Sequence, residues 1–258
     1  MKTPTFIEFI GLPGSGKTTL HRMTREYLEK VGYKVWTPDD FWKETKASLD
    51  LSRQGPLILR VKNRAIFLGS LILMMPSVFK YCLGRIRFIS TLAVMLFRYP
   101  DGMLNRLILA KFFLIDLFQY SHILDQISKG EKIVLLDEGL FQRAYSIFAC
   151  SPHPIDRHSL IRYTTDIDLQ GLLVFVSADL ETCFERIEDR GRPFRLRNES
   201  PQRVFETLEK GRRIFSALCE MIESRESMST EMVRVDGDFL DKAFAQLKTA
   251  LPPAPGRS

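Results

Sequence analysis

Gly11-Leu12-Pro13-Gly14-Ser15-Gly16-Lys17-Thr18 fills every position of the pattern G-x-x-x-x-G-K-[ST]. The apolar run Phe6-Ile7-Glu8-Phe9-Ile10 precedes it, and a stretch of helical composition beginning Thr19-Leu20-His21 follows. Strand, glycine-rich loop and helix in that order are the context a phosphate-binding loop requires. Gly11, Gly14 and Gly16 let successive backbone N–H groups turn inward where a Cβ would clash. The loop's N–H groups, with Pro13 and Ser15 set between the glycines, can then surround a polyphosphate. The helix that opens at Lys17, with Thr19 in its first turn, adds the positive end of its dipole. Lys17 is expected to reach the β- and γ-phosphates of ATP, and the Thr18 hydroxyl to ligate the Mg²⁺ that accompanies them.

Outward from the loop, 258 residues of which 45% are apolar suffice for one large domain with its own core. Cys82, Cys150, Cys183 and Cys219 lie far apart, with neither C-x-x-C nor paired histidine spacing, so no zinc site or disulfide framework is predicted and a cytoplasmic setting is expected. The first residues run into the first strand with no apolar signal region. Residues 251–258, rich in proline and small residues, read as a disordered tail.

Apolar segments at 6–10, 33–36, 132–136, 172–176 and 232–235 read as strands, and helical patterns at 17–31, 178–190, 202–223 and 240–251 alternate with them. That alternation predicts a parallel sheet covered on both faces, within a single domain spanning 1–250. Residues 52–128 are too long for a simple crossover and read as a helical insertion between strands two and three. The insertion is also where the charge gathers. From residue 52 to 120, ten lysines and arginines face only Asp101 and Asp116, whereas the whole chain carries +6. Its longest nearly uncharged run, 65–79, is shorter than the ~20 residues that cross a bilayer. Two readings stand. Either the insertion packs on the sheet with its basic residues solvated, or its apolar and basic faces bind an anionic membrane surface or an amphiphilic acceptor.

Three further groups carry chemistry. Ile133-Val-Leu-Leu136 runs into Asp137-Glu138-Gly139, which puts an acidic pair at the C-terminal edge of the sheet, where Asp137 and Glu138 can hold the Mg²⁺ shell. Asp39, after the second strand, is placed to accept a proton from an acceptor hydroxyl, unless the Asp39-Asp40 pair caps the next helix instead. Trp36, Phe41 and Trp42 could stack on a ring-shaped acceptor or pack in the core. Arg186, Arg190, Arg192, Arg195 and Arg197 fall within twelve residues across a helix end and a Gly-Arg-Pro break. Such a cluster suits a lid that closes on a triphosphate and neutralises charge on the transferred group, and a solvated helix end is the plainer alternative. With no aromatics interleaved beyond Phe194, nucleic acid is not an expected partner. His21, His122, His153 and His158 show no ligand spacing.

The order of these parts, from Gly11–Thr18 through Asp39, Asp137-Glu138-Gly139 and the arginine segment to Val235-Asp236-Gly237, resembles the thymidylate kinase and deoxynucleoside kinase group of P-loop kinases. That resemblance implies a three-layer α/β/α fold with strand order 2-3-1-4-5 and transfer of the γ-phosphate of ATP to a small acceptor. It implies that Arg186 and Arg190 border the adenine and the lid hinge, and that Arg192, Arg195 and Arg197 approach the phosphates. Asp137-Glu138 stands where thymidylate kinases carry Asp-Arg. With the insertion, this form is similar to thymidylate kinase-like proteins of bacterial surface-polysaccharide synthesis, which implies a sugar, glycan or lipid-linked acceptor. A nucleoside monophosphate kinase and a membrane- or partner-associated NTPase stand as alternatives, and a second copy of the chain stands open as a partner.

Overall fold

Five parallel strands in the order β2-β3-β1-β4-β5 form the centre of the protein. The computed structural model describes residues 6–40, 43, 79, 82–98, 102–128, 132–151, 153–154, 156–167, 171–224 and 230–252. In chain order the elements are β1 (Phe6–Gly11), α1 (Lys17–Lys30), β2 (Val35–Trp36), α2 (Ile86–Arg98), α3 (Gly102–Ser128), β3 (Ile133–Leu136) and α4 (Leu140–Ala144). A π-helical turn over Tyr145–Ala149 continues α4; then come α5 (Arg157–Asp166), β4 (Gly171–Ser177), α6 (Leu180–Arg190), a 3₁₀ turn at Phe194–Leu196, α7 (Pro201–Glu223), β5 (Thr230–Asp236) and α8 (Leu240–Ala250). The predicted strand order is the observed one.

Alternation along the strands builds the two outer layers. Ile7 and Phe9 of β1, with Leu135, Val174 and Val176, pack on Leu20 and Leu28 of α1 and Leu247 of α8. Phe6 and Ile10, with Val134, Leu136 and Phe175, face the opposite way, toward Phe113 and Tyr120 of α3, Phe141 of α4, Ile187 of α6 and Leu208 of α7. These side chains are almost wholly buried, and each contributes on the order of 2 kcal/mol by leaving water. Central strands sandwiched this way read as unbroken apolar runs. Glu8, in the middle of β1 and wholly buried, is the exception.

The boundaries differ from expectation where backbone chemistry intervenes. The strand predicted at 33–36 starts at Val35, because Gly32 (φ 99°) and Tyr33 close α1, donating to the carbonyls of Glu29 and Leu28. Leu251 and Pro252 are buried, Leu251 against the α1–α8 layer, so the predicted tail is ordered at its start, and 253–258 lie outside the described residues. The helices of 140–149 and 157–166 were not predicted. Gly139 offers α4 no capping side chain, whereas Asp156 does cap α5, accepting the His158 N–H at 3.0 Å. Of the insertion, α2 and α3 are described, and its residues 52–78 lie outside the described residues. Trp36 is buried in the core, so it does not face an acceptor; Phe41 and Trp42 lie outside the described residues.

Candidate functional site

The glycine loop leaves β1 at the C-terminal edge of the sheet and turns directly into α1. Gly14 and Gly16 adopt φ of 88° and 94°, conformations that side chains disfavour, and a Cβ on Gly14 would stand 2.5 Å from the Cys183 carbonyl oxygen. Lys17 curls back over the loop and donates to the carbonyls of Gly11 and Leu12, both at 2.9 Å. Burial lowers its pKa, while Asp137 and Glu138 pull in the opposite direction.

Asp137 follows β3 and accepts a hydrogen bond from the Thr18 hydroxyl at 2.9 Å on Oδ2. Its Oδ1 is buried with no hydrogen-bond partner among the described residues. A hydroxyl and a carboxylate in contact, with one carboxylate oxygen uncommitted, fit the hard, oxygen-ligated Mg²⁺ that accompanies nucleotide phosphates. Among the described residues no three His, Cys, Asp or Glu side chains gather, so an ion here would take only part of its shell from protein. Glu138, 58% exposed on its side chain, pairs with Arg143, with Oε2 3.4 Å from the guanidinium.

Thr18 and Asp137 open onto a cavity of about 280 Å³. The loop supplies Pro13 and Lys17 to its wall, α3 supplies Leu109 and Phe112, and α4 with its π turn supplies Gln142, Arg143, Tyr145 and Ser146. The end of α6 and the 3₁₀ turn that follows add Arg190, Pro193, Arg195 and Leu196.

The predicted arginines separate into three roles. Arg190 and Arg195 line the cavity, and Arg195 is held by the Ser146 carbonyl. Arg186 braces the loop, donating to the Gly14 carbonyl at 3.1 Å and pairing with Asp238 at 3.3 Å. Arg192 is not among the cavity residues. One turn beyond Glu188, it forms a two-pronged pair with that carboxylate at 2.6 and 2.8 Å and also donates to the Glu199 carbonyl. Arg197 is exposed and likewise lies outside the cavity wall.

Asp39 is exposed and does not line the cavity either. Its neighbour Asp40 takes the capping role, accepting both the N–H and the hydroxyl of Thr37 at 2.9 and 2.8 Å, while its own N–H donates to the Thr37 carbonyl. Asp40 is lowered in pKa, burial opposing the Thr37 bonds and Arg25 that lower it.

Several residues that sequence reasoning missed hold the site together. The Gln142 side chain clamps Gly11 at both ends, accepting its N–H at 3.0 Å and donating to its carbonyl at 3.1 Å. Glu8 accepts the Gln142 N–H at 2.9 Å and the Tyr120 hydroxyl at 3.3 Å, and the Tyr120 oxygen accepts the Leu140 N–H at 3.0 Å. The N-terminus of α4 is therefore capped from β1 and α3. Gly139 is obligatory because a Cβ there would lie 2.5 Å from the Glu8 carboxyl. Burial pushes the Glu8 carboxyl up to about 8, against the Gln142 and Tyr120 hydrogen bonds. A lone carboxylate in an otherwise apolar strand was the available signal. Arg143 makes a bidentate pair with buried Asp116 (2.7 and 3.1 Å) and lies 5.1 Å over the Phe112 ring. The Tyr145 ring is stacked on Phe215, and its hydroxyl is buried with no hydrogen-bond partner among the described residues.

Among solved structures, the chain is similar to deoxyadenosine kinase from M. mycoides with bound dCTP, at 12% identity over 95% of this chain and 97% of that one, with a TM-score of 0.40. With bound dATP the same kinase gives 14% identity, 95% and 98% coverage, and a TM-score of 0.41. TT1252 from Thermus thermophilus gives 19% identity, 96% of both chains and a TM-score of 0.38. No protein-family model matches the chain, and no curated protein matches it.

Proposed function

We propose that the protein is an ATP- and Mg²⁺-dependent phosphotransferase that moves the γ-phosphate to a hydroxyl of a small or lipid-linked acceptor. One observation carries the reading: a single cavity is lined at once by Lys17 and Thr18 of the phosphate loop, Asp137 and Glu138, Arg190 and Arg195, and an apolar wall from α3. The loop amides, Lys17, Arg190 and Arg195 stabilise the charge that spreads over the phosphoryl oxygens during transfer. Thr18 and Asp137 would hold Mg²⁺, which supplies further charge neutralisation when bound. Glu138, on the cavity wall and open to solvent, replaces Asp39 as the proposed base. The acceptor O–H gives its proton to the Glu138 carboxylate as the new O–P bond forms and the bond to the ADP oxygen breaks.

The charge on the acceptor wall favours a hydroxyl over a phosphate as acceptor. Arg143, the cation on that side among the described residues, is already bound by Asp116 and Glu138, so a nucleoside monophosphate would meet a wall whose positive charge is spent. The Phe112 ring and Leu109 suit an acceptor with an apolar face, whether a nucleoside or a sugar carrying an apolar or lipid-linked group.

ADP release from ATP and Mg²⁺, measured across nucleosides, nucleoside monophosphates, sugars and lipid-linked sugars with an acceptor-free control, tests the reading. Stimulation by a hydroxyl acceptor supports it. An acceptor-independent rate assigns the site to an NTPase, and stimulation by monophosphates alone overturns the hydroxyl assignment.

A further inference from the structure

We propose that the outer face formed by α2 and the first half of α3 docks the protein on an anionic membrane surface. Among the described residues, every exposed large apolar side chain except Phe239 falls between residues 79 and 114. Ile86, Val94 and Phe97 of α2 and Met103, Leu104 and Leu107 of α3 are representative, with Phe97 72% and Leu104 71% exposed. The core does not account for this surface. Helix α2 already buries Phe88, Leu92 and Met95 on its inner side, so it is apolar on both faces. A soluble surface rarely concentrates so many of its exposed large apolar side chains on two successive helices without an interaction to serve.

The charge on the same stretch selects the occupant. From residue 82 to 114, all the described charged residues are basic: Arg87 and Lys111, with Arg85 and Arg106, and Arg98, which pairs with Asp156 at 3.7 Å. Residues 44–78, which lie outside the described residues, carry five basic residues against two acidic ones and so add to the positive charge of this part of the chain. A second copy docking through the same patch would set arginine against arginine. Apolar side chains interspersed with lysine and arginine, on helices lying along a surface, match the boundary of an anionic bilayer, where acyl chains take the former and headgroups the latter. Among the described residues no helix is long and apolar enough to cross a membrane.

The docking face adjoins the cavity. Phe112, 38% exposed, follows Lys111 in α3 and also lines the cavity wall with Leu109. On the phosphotransferase reading, which this extension requires, docking brings the acceptor wall to the lipid interface and makes an amphiphile the fitting acceptor.

Flotation of the full chain with vesicles of phosphatidylcholine alone, and of phosphatidylcholine with phosphatidylglycerol, tests the docking without nucleotide. The full chain is expected to float with the phosphatidylglycerol vesicles and not with the neutral ones. Arg87→Gln with Lys111→Gln should weaken binding about thirty-fold, the equivalent of about 1 kcal/mol for each charge removed. Phe97→Ser with Leu104→Ser, both at exposed positions and checked for unchanged melting, should weaken it as well. No flotation, equal flotation with both vesicles, or binding untouched by either pair overturns the proposal. A dimer that Phe97→Ser with Leu104→Ser dissociates, with no flotation, overturns it in favour of a second copy. ADP release by the same variants without vesicles should equal that of the parent chain. Failure of docking and failure of the phosphotransferase reading therefore register in separate measurements.

Discussion

Lys17 is held ready by its own loop: two backbone carbonyls fix its ammonium at the cavity wall, so little of its flexibility remains to be lost when a phosphate arrives. Lys17→Ala should lower ADP release at least about 100-fold with folding intact, as judged by circular dichroism. Tyr145 offers a cleaner discrimination between fold and ligand. Its hydroxyl is buried and bonds to no described residue, burial keeps the phenol protonated well above its usual range, and the residue lines the cavity together with Arg195. Tyr145→Phe should leave the melting temperature unchanged or higher while kcat/KM falls about ten-fold. A drop in melting temperature with unchanged kinetics would assign the hydroxyl to the fold. Both residues are on the cavity wall, but only Lys17 belongs to a contiguous motif, and only Lys17 was legible in sequence.

Helix α4 illustrates how an element acquires its boundary from distant partners. It has no cap of its own, and its first amides are met by Glu8 and Tyr120. Because Glu8 rises from its ordinary 4.5 to about 8 on folding, the folded chain holds one proton more than the unfolded chain between those values. The stability this contributes is complete below about 4.5 and is lost as pH rises through about 8. Glu8→Gln, which imitates the neutral acid, should flatten that fall in urea unfolding followed from about pH 5 to about pH 9. Asp116, Tyr120 and Gln142 surround the carboxyl and are unchanged by the substitution, so an unaltered pH profile would mean that Glu8 is ionised in the fold. The arginine segment makes a second element-scale prediction. Arg195→Ala should lower kcat/KM by about ten-fold or more, whereas Arg192→Ala should do less and be matched by Glu188→Ala, since the two side chains form one staple. Arg192→Ala as severe as Arg195→Ala, with Glu188→Ala silent, would put Arg192 on the ligand.

At the scale of the molecule, a cavity lined at once by the glycine loop, α3 and the arginine segment should couple ligand to stability. ATP with Mg²⁺ at about 100 times its dissociation constant should add about 2.7 kcal/mol and raise the melting temperature by several degrees, and AMP should do much less. No shift at millimolar ATP would count against nucleotide binding altogether. The sequence by itself determined the sheet and the phosphate loop, because both are written in short-range patterns. Apolar runs alternating with helices dictate a parallel sheet, and the glycine spacing of residues 11–16 dictates the backbone of the loop whatever surrounds it. Only the tertiary structure decided which polar groups meet. Gln142 reaches Gly11 across 131 positions and Arg143 reaches Asp116 across 27. A pattern of period two or 3.6 carries no information about such pairs. The same holds for choices among similar residues: Asp40 over Asp39 as the cap, and Arg190 and Arg195 over Arg192 at the cavity, follow from side chains that reach a partner first. Those outcomes depend on distances that exist only once the layers have packed.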